Sequence, residues 1–170
     1  PTQTGFDNLV REGFLVSNKS PFTADNVGIF HCGDVMYDNS LFFKEIAAVR
    51  SKVLDAYNLS DKAFILSTIH RNNNTDQPER LTAIFKALNK IATENQIHIV
   101  LPLHPRTSKL LDKNLDNDLL EEIRSNPFIQ LIPPVSFLDM IQLESHCQMV
   151  VTDSGGVQKE AYFFKKPCII

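Results

Sequence analysis

Residues 148–161 read QMVVTDSGGVQKEA. An apolar, β-branched run over Gln148–Thr152 leads into a polar turn, Asp153-Ser154-Gly155-Gly156, and then into Val157, Ala161 and Phe164 at helical spacing. Strand, glycine turn, helix is the repeating unit of parallel α/β sheets. Lys165, Lys166 and Pro167 close the helix, with cations at its negative end and a residue that cannot continue it. Working outward, five more short apolar segments flank this one: Val27–His31, Ala63–Ile69, Ile97–Leu103, Phe128–Ile132 and Pro167–Ile170. Between the second and third of the six, Leu81, Ile84, Phe85, Leu88, Ile91 and Ala92 follow helical spacing, with Pro78 near the start where its missing N–H does no harm. Phe42, Ile46, Val49 and Val53 repeat the pattern after the first segment. Nearly continuous apolar strands alternating with helices predict a Rossmann-like parallel α/β sheet covered on both faces.

Composition fits that class and excludes others. The 170 residues are 43% apolar and 22% charged, enough to bury a core without metals or disulfides. The 17 basic and 20 acidic residues leave a net charge of −3, which gives no field for nucleic acid or an anionic membrane. No apolar run is long enough to span a bilayer, and the reading is cytoplasmic. Cys32, Cys147 and Cys168 form no paired motif, so neither a zinc knuckle nor a disulfide framework is expected, and a reducing compartment is favoured. Residues 5–13 read as a short helix, so residues 1–26 are expected to be a lead-in helix and linker and residues 27–170 the Rossmann-like domain. The last apolar strand, with no covering helix after it, reads as part of a longer protein.

Parallel sheets bind ligands beyond the carboxyl ends of their strands. Three polar clusters are expected there: His70-Arg71, His104-Pro105-Arg106-Thr107 and Asp153-Ser154-Gly155-Gly156. Ser-Gly-Gly before a helix offers N–H groups and a positive helix end to an anion, without side chains in the way. Glu160, one turn past Gly156, could accept from sugar hydroxyls. The alternative is a tight turn capped by Ser154, with a solvated Glu160. His70 and Arg71 could supply a proton donor and a cation to a phosphate leaving group, or be loop residues, and His104 and Arg106 carry the same two readings. Asn72–Asn74 look like loop residues leading to a helix cap near Asp76. His98 and His146 read as structural, and His31 and Asp34 follow a turn at Gly33. No carboxylate pair, metal cluster or GxGxxG motif is assembled from the remaining residues.

Four ordered motifs carry a family resemblance: Gly33-Asp34-Val35-Met36-Tyr37-Asp38; Thr68-Ile69-His70-Arg71 with Asn74-Thr75-Asp76; Pro102-Leu103-His104-Pro105-Arg106-Thr107; and Thr152 through Ala161. Together they resemble the non-hydrolysing UDP-N-acetylglucosamine 2-epimerases over nearly the whole chain. The resemblance implies one half of a GT-B-type enzyme with two Rossmann-like domains and a cleft between them. It implies interconversion of UDP-N-acetylglucosamine and UDP-N-acetylmannosamine by loss and re-addition of UDP, with no metal or cofactor, in a homodimer of the full-length protein. By motif, His70 is the implied catalytic residue beside the leaving diphosphate. Ser154, Gly155 and Gly156 would hold the diphosphate and Glu160 the ribose. Arg71, His104, Arg106 and Met140 complete the expected substrate contacts. Asn73 stands where the family commonly has Glu, and Val135 and Met140 stand at the positions of a Gln and an aromatic that hold the uracil. Residues 104–107 differ from the Pro-x-His-x-Asn-Pro of some bacterial members. The acidic residues credited with proton transfer at C2 lie in the family's first domain. A hydrolysing relative, a glycosyltransferase of the same architecture and a non-catalytic UDP-sugar-binding module are the alternatives.

Overall fold

Five parallel strands, β1 (Phe64–Thr68), β2 (His98–Pro102), β3 (Ile129–Ile132), β4 (Met149–Thr152) and β5 (Cys168–Ile169), form one sheet in the order β3-β2-β1-β4-β5. The computed structural model describes residues 2–16 and 19–170. Its contacts divide the chain into two units, Pro1–Asn39 and Ser40–Ile170.

The first unit contains helix α1 (Gln3–Arg11), capped by the Thr2 side chain, which accepts from the Gly5 N–H. No strand forms over 27–31. Val27 and Phe30 are exposed, and only Ile29 of that run is buried. Phe30 instead meets Phe22 edge to face with ring centroids 5.3 Å apart, a local contact in place of a sheet neighbour. Gly28 allows the two rings to close: a Cβ there would lie 2.6 Å from the Phe22 ring.

In the second unit the strand side chains alternate between two cores. On one face, Ile65, Ile99, Leu101 and Ile129 pack with Leu81, Phe85, Leu88 and Ala92 of α5 (Pro78–Asn95). Leu111 of α6 (Pro105–Asn114) and Leu120 and Ile123 of α7 (Asn117–Ser125) complete that layer. On the other face, Phe64, Leu66, Val100, Ile132 and Val150 meet Val53 of α3 (Val53–Ala56), Leu143 of α8 (Phe137–His146) and Ala161 of α9 (Gly155–Phe163). The expected apolar stripe of α5 is largely the buried one, although Ile91 is exposed. Burying each such Leu or Phe side chain contributes roughly 1.5–3 kcal/mol.

The stripe expected from Phe42 through Val53 is not continuous. Helix α2 (Val35–Arg50) stops at Arg50, where the Ser51 hydroxyl donates to Asp139 at 2.5 Å and accepts from the Val53 N–H at 3.3 Å. Phe42 and Val49 are 64% and 76% exposed, whereas Phe43 and Ala47 turn toward Ile141 and Phe164.

β1 is followed by α4 (Asn72–Thr75) and α5 toward β2, while β4 is followed by α9 toward β5 on the other side. Chain direction thus reverses between β1 and β4. The carboxyl ends of β1 and β4 at this reversal are the place where open α/β sheets receive ligands.

Candidate functional site

The rim is built around Asp153, which sequence reasoning placed in the turn after the strand without giving it a role. Its carboxylate accepts the His70 N–H at 3.0 and 3.1 Å, the Arg71 N–H at 2.9 Å and Asn74 Nδ2 at 3.0 Å. The Arg71 Nε donates back to the Asp153 carbonyl at 3.0 Å. One carboxylate therefore ties the loop after β1 to the turn after β4. Beneath it the Thr68 and Thr152 hydroxyls share a buried 2.6 Å hydrogen bond, and Thr152 Oγ1 accepts the Ser154 N–H at 2.9 Å. The expected loop asparagines belong to this framework. Asn72–Thr75 form a helical turn, and Asp76 follows it as a C-cap; the N-cap of α5 is Gln77.

His70 Nδ1 lies 3.5 Å from Asp153, with 44% of its side chain exposed. Nδ1 therefore faces the carboxylate, and Nε2 lies on the far side of the ring. Ser154 caps α9, its Oγ accepting from the Val157 N–H at 3.5 Å. The first N–H groups of a helix have no intrahelical acceptor. With those of Ser154 and Val157 taken, the Gly155 and Gly156 N–H groups stay open among the described residues. Protein packing does not demand these glycines. Added Cβ atoms would meet nothing closer than Arg71 at 3.7 Å and Ser154 at 3.8 Å. The space they leave opens onto two free donors, the positive end of α9 and the Arg71 guanidinium, an arrangement suited to a phosphate.

The third cluster is committed to the protein. His104 caps α6, its Nδ1 accepting from the Arg106 N–H at 3.2 Å. The Arg106 guanidinium pairs with Asp76 at 2.5 and 2.6 Å and also donates to Asn72. The Thr107 hydroxyl donates to the Ile69 carbonyl at 3.1 Å and so fastens this loop to β1. Met140 and Val135 are half-buried against the core beneath α8. A concavity of about 860 Å³ runs along the outer edge of β3 past Tyr57, Arg124 and Pro134 and includes none of His70, Arg71, Ser154 or Glu160. The β1–β4 rim is an open face instead.

The structure brings together a carboxylate pair that was not expected. Glu160 is half-buried, and burial pushes its carboxyl up from the usual range. Glu144, on α8, is fully buried, and burial together with the neighbouring Glu160 pushes it up to about 9. Among the described residues no group of three or more His, Cys, Asp or Glu could hold a metal ion, and no helix is long and apolar enough to cross a membrane.

A parallel sheet covered by helices on both faces, with open glycine N–H groups and a cation at its switch point, defines a Rossmann-like α/β domain. More narrowly, the chain belongs to the UDP-N-acetylglucosamine 2-epimerase family, whose sequence model matches residues 1–170. It is 44% identical over 170 residues to a UDP-N-acetylglucosamine 2-epimerase homolog of Methanococcus maripaludis, covering 99% of this chain and 43% of that protein. It is 43% identical over 169 residues to the UDP-2,3-diacetamido-2,3-dideoxy-D-glucuronate 2-epimerase of Pseudomonas aeruginosa, covering 99% of this chain and 41% of that one. The solved UDP-GlcNAc 2-epimerase of Methanocaldococcus jannaschii superposes with a TM-score of 0.81 at 33% identity, over 99% of this chain and 44% of that structure. Its complex with UDP-GlcNAc and UDP gives 0.78. The chain thus spans about two fifths of these relatives and has the Rossmann-like fold of one half of a GT-B-type enzyme.

Proposed function

We propose that this chain is the nucleotide-binding half of an enzyme that inverts C2 of UDP-N-acetylglucosamine by eliminating and re-adding UDP. The open N–H groups of Gly155 and Gly156, in space that no protein atom needs, carry this reading. Removal of the C2 proton places an electron pair in a C1–C2 double bond as the C1–O bond breaks, and that oxygen leaves with the diphosphate as UDP. Charge grows on the diphosphate as it departs. Preorganised N–H dipoles, the α9 N-terminus and Arg71 stabilise it at no cost in reorganisation. His70, held by Asp153 with Nε2 outward, stands beside the leaving group and eases C1–O cleavage. Glu160 accepts from the ribose hydroxyls. Arg106 and His104 fix the adjoining loop, and Met140 lies toward the base. Reprotonation of C2 on the other face and return of UDP to C1 complete the inversion. The groups that move the C2 proton lie outside this chain, so by itself it is expected to bind UDP weakly and turn over nothing. Incubating the full-length protein with UDP-N-acetylglucosamine in D2O tests this: UDP-N-acetylmannosamine carrying deuterium at C2 supports it. Accumulation of free N-acetylmannosamine with UDP would instead identify a hydrolysing enzyme.

The 43% identity to a UDP-2,3-diacetamido-2,3-dideoxy-D-glucuronate 2-epimerase is level with the 44% to a UDP-N-acetylglucosamine 2-epimerase homolog and above the 35% and 31% to two relatives named as UDP-N-acetylglucosamine 2-epimerases. It supports a second reading with that sugar as substrate. The UDP-binding assignments are common to both readings. Competition between the two UDP-sugars at equal concentration separates them through the ratio of their kcat/KM values.

A further inference from the structure

Glu144 plays no part in the chemistry above, yet it occupies one of the most costly positions in the molecule. Its side chain is fully buried on the inner face of α8, among Ile141, Leu143 and Cys147. Among the described residues neither carboxyl oxygen meets a hydrogen-bond donor. A buried carboxyl without a donor is costly in a way that an apolar side chain of similar volume is not. Across the α8–α9 contact the group acting on it is Glu160. The two carboxyls lie within hydrogen-bonding reach of each other, so a single proton on either one joins them. The other titratable groups around it are engaged elsewhere or lie farther along. Cys147 is one turn on, its thiol pushed up to about 11 by burial and countered by Lys166. On α3, Asp55 accepts from Ser60, and on α2, Lys44 sits over the Phe164 ring.

We propose that Glu144 is a positioning residue for the nucleotide, holding the Glu160 carboxyl from beneath so that its free oxygen points at the ribose hydroxyls. This rests on the reading of Glu160 given above. Two carboxyls in low dielectric cannot both ionise cheaply, so the pair keeps one proton between them. Glu144, the deeper of the two, carries it. The Glu144 O–H donates to the Glu160 carboxylate. Glu160 remains the ionised acceptor, anchored on one oxygen and free on the other. Burial of Glu144 thus serves ligand binding at the expense of stability.

UDP binding to the full-length protein, followed by calorimetry between pH 6.5 and 10, separates the possibilities. Glu160→Ala should weaken UDP binding about tenfold, the scale of one charge-assisted hydrogen bond. Glu144→Leu, which cannot donate, should weaken it by about three- to tenfold, and by nothing further when combined with Glu160→Ala. Glu144→Gln keeps a donor and cannot ionise, so it should bind like the parent near neutrality. The parent should then fall behind it about tenfold as Glu144 loses its proton near pH 9. Titration of the uracil ring cancels in that ratio. An unaltered affinity in Glu144→Leu, a flat ratio, or a Glu144→Leu loss that persists in full beside Glu160→Ala would overturn the positioning role while leaving Glu160 as a ligand contact. Parental affinity in Glu160→Ala would overturn the reading of Glu160 itself.

Discussion

Replacing Asp153 with Ala tests whether one carboxylate builds the rim. The substitution removes the acceptor for three donors, the His70 N–H, the Arg71 N–H and Asn74 Nδ2. A hydrogen bond to an ionised group contributes roughly 1.5–3 kcal/mol when desolvated. His70 and Arg71 are exposed, so water replaces part of each bond once the carboxylate is gone, although the Asp153 side chain itself is only 10% exposed. About 1 kcal/mol per donor, or about 3 kcal/mol in all, is the expected loss. Urea unfolding followed by circular dichroism should show a lower midpoint with an unchanged slope, because the surface exposed on unfolding is the same. UDP affinity should fall with it, as Arg71 and the Ser154 turn are no longer held together. A loss below about 1 kcal/mol with unchanged UDP affinity would refute the carboxylate's role, placing its contacts among surface interactions of little worth.

Three further outcomes follow from the same geometry. Gly155→Ala should fold as well as the parent or gain about 0.5–1 kcal/mol, since its Cβ meets nothing closer than 3.7 Å, while UDP binding measured by calorimetry weakens about tenfold or more. His70→Asn in the full-length protein should lower kcat about 100-fold and leave the UDP dissociation constant within about threefold, whereas an unchanged rate would return His70 to a structural role. Folding raises the Glu144 carboxyl from 4.5 to about 9, so the folded state keeps a proton that the unfolded chain releases. The stability linked to this proton is complete below pH 4.5 and falls steadily as the pH rises toward 9. Glu144→Gln should flatten that dependence in urea melts at pH 5, 7 and 9, and parallel curves for the two proteins would contradict it.

The parallel sheet was legible because strands buried on both faces must be largely apolar, and runs such as Phe64–Leu66 and Ile99–Leu101 are. Val27–His31 looks the same in composition but fails as a strand, because hydropathy does not reveal whether a neighbour exists to pair with. Its Phe30 finds Phe22 instead. The α2 stripe misled for a related reason: Phe42 and Val49 share a spacing with Ile46, but Phe43 and Ala47 are the residues that meet α8. At the site, Ser154 and its glycines were legible because helix-start chemistry is local. Asp153 was not, since its donors are 79 to 83 residues away and only folding brings them to it. Glu144 could have been found. It lies three residues from both Ile141 and Cys147, so a carboxylate stood on the buried stripe of an amphipathic helix.

The seat proposed for the diphosphate is open to direct observation. With glycine selectively labelled with 15N in the full-length protein, the amide resonances of Gly155 and Gly156 can be followed as UDP is added. The expected result is a large, saturable shift of both amides that uridine alone does not reproduce. Saturable UDP binding that leaves both resonances where they were would contradict it.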